Sequence, residues 1–353
     1  MKVHLFASEN HYVQAYLKFL EKNFDISSSI FVFRSCKRLN FEYSDTIKER
    51  IIIAKSNLEF LRKVIPLIRR SEKFYFHQLP YGPSLILWNL FSGLLSKSTW
   101  IIWGGDVYIH TQGRETIKKA FYEILRKRMI RRIPIVASFI PGDFEIVRTI
   151  YNSKARYLQS AYPIPVDFMK IDPGENPHDD FKGTTILIGN SGNEVNNHLE
   201  ILDILRFLKD SDVRIICPLS YGGNKEYVKS VVAEGKMIFG DKFKPLMSFL
   251  GTDDYIMLLS GTDIAVMNHE RQQGLGNTLP LLYFGKKVYL RKEATTYLFL
   301  KELGCAIFDI ESLKFSNETF LGINREELMK NREIITNLLS EERYISLWKL
   351  ILA

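Results

Sequence analysis

At 353 residues, with 46% hydrophobic and 25% charged positions, the chain has the length of two ordinary domains and ample material for a core. That balance excludes a disordered or low-complexity polypeptide. The net charge of +8 is clustered, with Lys118, Lys119, Arg126, Lys127, Arg128, Arg131 and Arg132 close together; such a cluster can serve nucleic acid, anionic lipid or a phosphorylated substrate.

The chain opens on a strand-like run, Val3–Ala7, soon interrupted by Glu9, Asn10 and His11, so no secretory signal is expected. An amphipathic stretch follows from His11 to Lys22. Ser29–Arg34 and Ile51–Ile53 read as strands, Asn57–Arg70 as a helix with Asn57 as its N-cap, and Lys73–His77 as a strand. Pro80-Tyr81-Gly82-Pro83 turns the chain into an apolar helix ending near Leu95. Its apolar part, Leu85 to Leu95, carries Asn89, Ser92 and Gly93 and falls short of the roughly 20 residues that span a bilayer. The strand Thr99–Trp103, the basic helix Thr116–Arg132 and the strand Ile135–Phe139 complete a first half.

Residues 163–183 lack periodicity and are punctuated by Pro163, Pro165, Pro173, Gly174, Pro177 and Gly183, which marks a linker between domains 1–162 and 184–353. The alternation then restarts with Thr185–Gly189, helix His198–Leu208, strand Val213–Pro218 and helix Lys225–Glu234. Met237–Phe239 reads as a short strand, Thr252–Leu259 as a helix, Ile264–Met267 as a strand, Thr278–Phe284 as a helix and Lys287–Leu290 as a strand. The chain closes in helical sequence from Glu326 to Leu352, whose last helix is free to pack back on the first domain. The expected fold class is α/β, and two Rossmann-like domains facing across a cleft are the GT-B organisation. Cys36, Cys217 and Cys305 lie far apart with no CxxC pattern, which predicts a reducing, cytoplasmic setting and no structural zinc.

Five loops that leave strands carry the candidate chemistry. Asn268 to Thr278 runs from a buried strand into a helix, where amides carry partial positive charge and Gly274 and Gly276 admit a ligand to the backbone. Arg271 adds a cation able to grip phosphate, and Glu270, Gln272, Gln273, Asn277 and Thr278 offer partners for sugar or ribose hydroxyls. A diphosphate site and a plain polar turn are the two readings of that spacing. Gly189, Asn190, Ser191 and Asn193 form a second such loop; it is not G-x-G-x-x-G and has no acidic residue placed for a dinucleotide ribose, which disfavours a nicotinamide enzyme. Ser220 and Tyr221 belong to a third loop, where the ring could stack on a base or simply cap a surface turn. In the first half, Asp106 and His77 sit at strand ends. Transfer of a group from a diphosphate to a hydroxyl needs a base or a stabiliser of the leaving diphosphate, and either residue fits, as does a structural carboxylate or a backbone-satisfied imidazole. Asp179-Asp180 and Asp253-Asp254 are not at strand ends, so no metal site is expected.

The runs FHQLP (Phe76–Pro80), WIIWGGDVY (Trp100–Tyr108), ILIGNSGN (Ile186–Asn193), CPLSYGGNKEYV (Cys217–Val228) and ERQQGLGNTL (Glu270–Leu279) together resemble the TDP-4-acetamido-4,6-dideoxygalactose (Fuc4NAc):lipid II transferases of enterobacterial common antigen synthesis. The resemblance implies a GT-B glycosyltransferase that moves a deoxyaminosugar from a dTDP-sugar donor to an undecaprenyl-diphosphate-linked saccharide, in common antigen or O-antigen synthesis. It implies a donor site in the second half, no cofactor and a peripheral place on the cytoplasmic face of the bacterial inner membrane. Trp88 with Lys118, Lys119, Arg126, Lys127, Arg128, Arg131 and Arg132 is then the expected contact with the anionic membrane or acceptor. A nucleotide-sugar epimerase on the same fold would share the donor loops. Nucleic-acid binding is suggested by the basic helix alone, without a recognisable binding module.

Overall fold

The computed structural model describes residues 1–34, 40–111, 116–171, 181–314 and 317–353. Cys36, Pro173, Gly174, Pro177 and Asp179-Asp180 lie outside the described residues, as does much of the expected linker. The chain forms two compact units: Met1–Pro165 together with Leu339–Ala353, and Val166–Leu338.

The first unit is built on a seven-stranded sheet: β1 (Lys2–Phe6), β2 (Ser29–Phe33), β3 (Ile51–Ile53), β4 (Lys73–His77), β5 (Ser98–Ile101), β6 (Ile135–Ser138) and β7 (Arg156–Gln159), in the order β3-β2-β1-β4-β5-β6-β7. Every pairing is parallel, so each connection must cross over, and helices supply the crossovers. Helix His11–Asn23 starts where the Asn10 side chain accepts from the Val13 amide. The expected helix from Asn57 is capped by Ser56, one residue earlier. It proceeds as a turn at Asn57–Glu59, a wider π turn at Phe60–Val64 and a final segment Ile65–Arg70. Pro66 has no N–H to return to Arg62, which fits a widened turn just before it.

Two expected membrane contacts are corrected here. Trp88, on helix Ser84–Leu90, is wholly buried, stacked on Phe74 at 5.2 Å and edge-on to Phe76 and Phe60. It is core. Arg126, on helix Ile117–Ile130, is also wholly buried: it donates to the Tyr151 hydroxyl and the Asp106 carbonyl, lies over the Tyr151 ring, and sits 3.6 Å from Glu123. A guanidinium with those partners anchors the helix to the core and is out of reach of any headgroup.

Helix Glu341–Leu352, begun by the Ser340 hydroxyl accepting from Arg343, belongs to this first unit. Its Trp348 is fully buried, donates to the Ala161 carbonyl at 2.7 Å and packs 4.4 Å from Tyr16.

The second unit holds a six-stranded parallel sheet: β8 (Thr184–Ile188), β9 (Val213–Pro218), β10 (Phe243–Leu246), β11 (Ile264–Met267), β12 (Lys287–Leu290) and β13 (Phe308–Asp309), in the order β10-β9-β8-β11-β12-β13. Met237–Phe239, expected as a strand, completes helix Lys225–Phe239 instead, and the strand comes four residues later. An apolar triplet alone carries no period, so helix and strand cannot be told apart there. Gly240, at φ +53, ends that helix, and Gly235 lets it close on β10: a Cβ there would lie 2.5 Å from the Phe243 ring.

Candidate active site

In the second sheet the chain steps outward from β8 to β9 and β10, then returns to lay β11 on the other side of β8. That reversal is the place where open parallel sheets bind ligands, outside the carboxyl ends of their strands. The loops that leave β8 and β11 there are the two richest in candidate residues.

Gly189 begins the first loop at φ +67, and a Cβ on it would meet Asn196 Oδ1 at 2.7 Å and His198 Nε2 at 2.8 Å. The space it leaves lets Asn196 fold back beneath the loop. Asn196 Oδ1 accepts from the Asn190 amide at 3.0 Å, and its Nδ2 donates to the Asn193 carbonyl at 2.9 Å and Ser191 Oγ at 3.3 Å. His269, from the second loop, reaches the same group: its Nε2 lies 2.8 Å from Asn196 Oδ1 and 3.1 Å from Asn190 Oδ1. Both neighbours are acceptors, so the imidazole is a donor at Nε2. Burial pushes its pKa down to about 3, with His198 and Arg271 adding to the effect, so it stays neutral. Gln273 Nε2 adds a further bond to Asn190 Oδ1 at 3.2 Å. One buried histidine thereby ties together loops that are far apart in sequence.

Helix Leu275–Tyr283 starts directly after, with Gly274 at φ +70 as its N-cap. A Cβ on Gly274 would lie 2.8 Å from His269 Cε1, so the helix N-terminus can reach the network only through glycine. Arg271, Gln272 and Gln273 are half-buried around this helix start, and Glu270 is exposed, 3.5 Å from the Asn197 amide. Asn277 donates to Tyr255 Oη at 2.7 Å, and buried Thr278 bonds back to the Gly274 carbonyl. Those two side chains shape the helix start.

The loop after β9 closes the group. Gly192 donates to the Tyr221 carbonyl at 2.8 Å, and a Cβ on Gly223 would lie 2.1 Å from the Gly192 carbonyl, so the two loops touch backbone to backbone. Tyr221 is half exposed and accepts from Asn190 Nδ2 at 3.4 Å, beside half-buried Ser220. The structure thus gathers Gly189, Asn190, Ser191, Asn193, Ser220, Tyr221, Gln273 and Gly274 at one end of one sheet. Sequence reasoning missed Asn196, His269 and Tyr255. Asn196 and His269 are polar and lie in or just after loops already singled out, but only the β8–β11 pairing makes them neighbours; Tyr255 sits on a helix with no such signal.

In the first unit, Asp106 and His77 are not solvent-facing. Asp106 accepts from the Leu79 amide at 3.0 Å, the Trp100 indole at 2.7 Å and the Trp103 amide at 3.0 Å. Burial raises its pKa against the pull of those donors. His77 is buried between Phe6 and Trp348, bonded to His4 at 3.0 Å and to the Tyr162 hydroxyl, and burial holds its pKa well below the usual range. Both positions read as structural; neither presents a free basic atom to an acceptor hydroxyl.

On helix Ile117–Ile130, Lys118, Lys119 and Arg128 are exposed and Lys127 half-buried, with Arg131 and Arg132 exposed just beyond it. Between them Ile117, Phe121 and Ile124 stand 92%, 48% and 64% exposed, spaced to share one helical face. The neighbouring helix adds Leu90 and Ile86, and the Asn89 amide, donating to the Leu125 carbonyl at 3.0 Å, bridges the two. Among the described residues no group of three or more histidines, cysteines or acids is placed to hold a metal, and no helix is long and apolar enough to cross a membrane.

Residues 3–350 match the family model described as 4-alpha-L-fucosyltransferase, glycosyl transferase group 56. Among solved structures, the chain is similar to WaaG, a glycosyltransferase involved in lipopolysaccharide biosynthesis, at TM-score 0.63 and 10% identity over 99% of this chain and 98% of that one. It is similar to a glycosyltransferase of Rickettsia africae at TM-score 0.66 and 13% identity, over 99% and 97% of the two chains. HepE of Anabaena, solved in complex with UDP and glucose, gives TM-score 0.66 and 11% identity over 99% and 98%. With the two parallel sheets, these likenesses show the GT-B fold.

Proposed function

Because the chain belongs to glycosyltransferase group 56, the 4-alpha-L-fucosyltransferase family, we propose that it moves a deoxyaminosugar of the Fuc4NAc kind from a dTDP-sugar to an undecaprenyl-diphosphate-linked saccharide, building a common-antigen or O-antigen glycan. The observation that carries the donor site is the His269 network, which fixes the loops after β8 and β11 around a helix N-terminus. In the proposed step a hydroxyl oxygen of the acceptor bonds to the anomeric carbon, the bond from that carbon to the diphosphate oxygen breaks with its electron pair leaving on dTDP, and the hydroxyl proton is released to solvent. Arg271 and the first amides of helix Leu275–Tyr283 hold the diphosphate and stabilise its growing charge. Tyr221 stacks on the base, and Asn190 and Gln273 face the sugar. Leaving-group stabilisation is assigned to the chain's own cation and amides, so turnover is expected to survive chelation.

The acceptor is met at a membrane surface. Lys118, Lys119, Lys127, Arg128, Arg131 and Arg132 rim an exposed apolar stripe, the pattern of a helix lying in an anionic interface. This supports a peripheral position on the cytoplasmic face of the inner membrane.

The test is incubation with a panel of dTDP- and UDP-sugars and a lipid-diphosphate saccharide, read by mass spectrometry of the lipid products. A lipid product one deoxyaminosugar heavier, formed from the dTDP donor in EDTA, is expected. Conversion of the donor without any acceptor would point to an epimerase and overturn the reading; a strict preference for UDP-sugars would overturn the donor assignment.

A further inference from the structure

The first sheet repeats the strand order of the second, so it has its own reversal between β1 and β4, and a cavity sits there. It measures about 300 Å³, and Ala7, Arg34, Asn57, Gln78, Tyr81 and Ser84 line it, with Ala7 following β1, Arg34 following β2 and Gln78 following β4. A cavity at the lower end of the ligand-pocket range, outside the carboxyl ends of parallel strands, is where this architecture places a ligand.

Two residues in it are unusual. Arg34 is half-buried; its Nη2 donates to Asn57 Oδ1 at 2.7 Å and its guanidinium lies 4.8 Å from the Phe60 ring centre. Among the described residues no carboxylate pairs with it. Burial lowers its pKa, the mark of a cation stripped of water without a compensating anion. Gln78, an exposed residue of the cavity lining, is a non-glycine residue at φ +80. Its amide is held by the Ile101 carbonyl at 3.1 Å, and the next amide, Leu79, by Asp106 at 3.0 Å. Asp106, Trp100 and Trp103 together over-determine a strained backbone, and such strain persists where it serves a site.

We propose that this cavity is a diphosphate subsite, with Arg34 as the anionic anchor and Gln78 as a polar contact to the first sugar. Resting on the lipid-linked acceptor of the preceding section, it receives the diphosphate of the polyprenyl acceptor, while the donor diphosphate belongs to the second unit.

Inorganic pyrophosphate is titrated calorimetrically into the whole protein with dTDP saturating, which keeps the donor loops occupied. Arg34→Gln is expected to weaken pyrophosphate binding at least tenfold and to raise the KM for a short-chain polyprenyl-diphosphate saccharide by a similar factor, with dTDP affinity unchanged. Arg34→Lys restores part of both. Gln78→Gly removes the strain, so it folds at least as stably as the parent and still raises the acceptor KM, which guards against an Arg34 variant that fails to fold. Unchanged pyrophosphate binding in a folded Arg34→Gln protein overturns the subsite, as does an unaltered acceptor KM. Loss of pyrophosphate binding in Arg34→Gln, alongside a wild-type protein that elongates no lipid diphosphate, leaves the subsite standing and overturns the acceptor reading instead.

Discussion

Gly274 shows how much of the loop after β11 turns on one missing carbon. At φ +70 an alanine costs about 1–2 kcal/mol in backbone strain, and its Cβ would press on His269. Gly274→Ala is therefore expected to loosen the bond from His269 to Asn190 and to lower dTDP affinity about tenfold or more, measured by titration calorimetry; unaltered affinity would take the helix start out of the donor site. Arg271→Ala should weaken dTDP binding by about 1.5–3 kcal/mol, the scale of a hydrogen bond to a charged group. For Asp106→Asn the expectation differs from that of a lost base. The amide cannot accept from Leu79, Trp100 and Trp103 without bringing two hydrogens of its own, so the fold should lose about 3 kcal/mol, seen as a lower midpoint in thermal unfolding. A carboxylate at the end of a strand could be read from Trp103-Gly104-Gly105-Asp106. That three N–H groups converge on it could not, because Leu79 comes from another strand. The glycines of the loops after β8 and β11 were legible for the same local reason, and Asn196 and His269 were hidden for the same nonlocal one.

At the scale of the element, helix Ile117–Ile130 separates two kinds of cation that a charge count lumps together. Arg126 faces the core beside Met129 and Ile130, while Arg128, Arg131 and Arg132 face outward. Each outward cation near an anionic surface contributes about 1 kcal/mol, and salt screens it. Replacing Lys127, Arg128, Arg131 and Arg132 with Gln should cut sedimentation with anionic vesicles and leave dTDP binding intact. Ile117→Ser with Ile124→Ser should weaken the part of binding that survives high salt. Vesicle binding untouched by either set would return this face to plain solvent. Arg126→Gln, by contrast, should lower stability with no specific effect on vesicles. The helix was legible from its sequence; its phase was obscured because the basic run continues through the buried position. Helix Ser84–Leu90 carries the matching lesson, since its apolar excess splits into a core side with Leu85 and Trp88 and an outer side with Ile86 and Leu90.

For the molecule as a whole, both sheets followed from the alternation of short apolar runs with helical stretches, whereas β7, β10 and β13, short and partly exposed, gave no such signal. One property spans both units: His4, His77, His198 and His269 are all buried, and burial keeps each neutral, with pKa values near 3 for His4 and His269 and near 4 for His198. Their folded values lie below the unfolded value of about 6.5, so between these limits the unfolded chain binds more protons. Stability should therefore be complete above pH 6.5 and fall as the pH drops below it, by about 1.4 kcal/mol per pH unit for each histidine involved. Calorimetry between pH 7 and pH 5 should show the unfolding midpoint dropping steeply; a flat profile would mean that these rings are charged or solvated in the fold. The helix Glu341–Leu352 sets a further condition, on the order in which the molecule is made. Its Trp348 packs against Tyr16, so the first unit cannot be finished until residues 339–353 have left the ribosome. The second unit, an unbroken stretch from Val166 to Leu338, is complete before then. At elongation rates of up to about 20 residues per second, the first sheet, whose seven strands end at Gln159, waits on the order of ten seconds for its last helix. Through that interval the apolar surface that Trp348 covers, Tyr16 among it, stays open, and the usual sequence in which the N-terminal domain matures first is reversed.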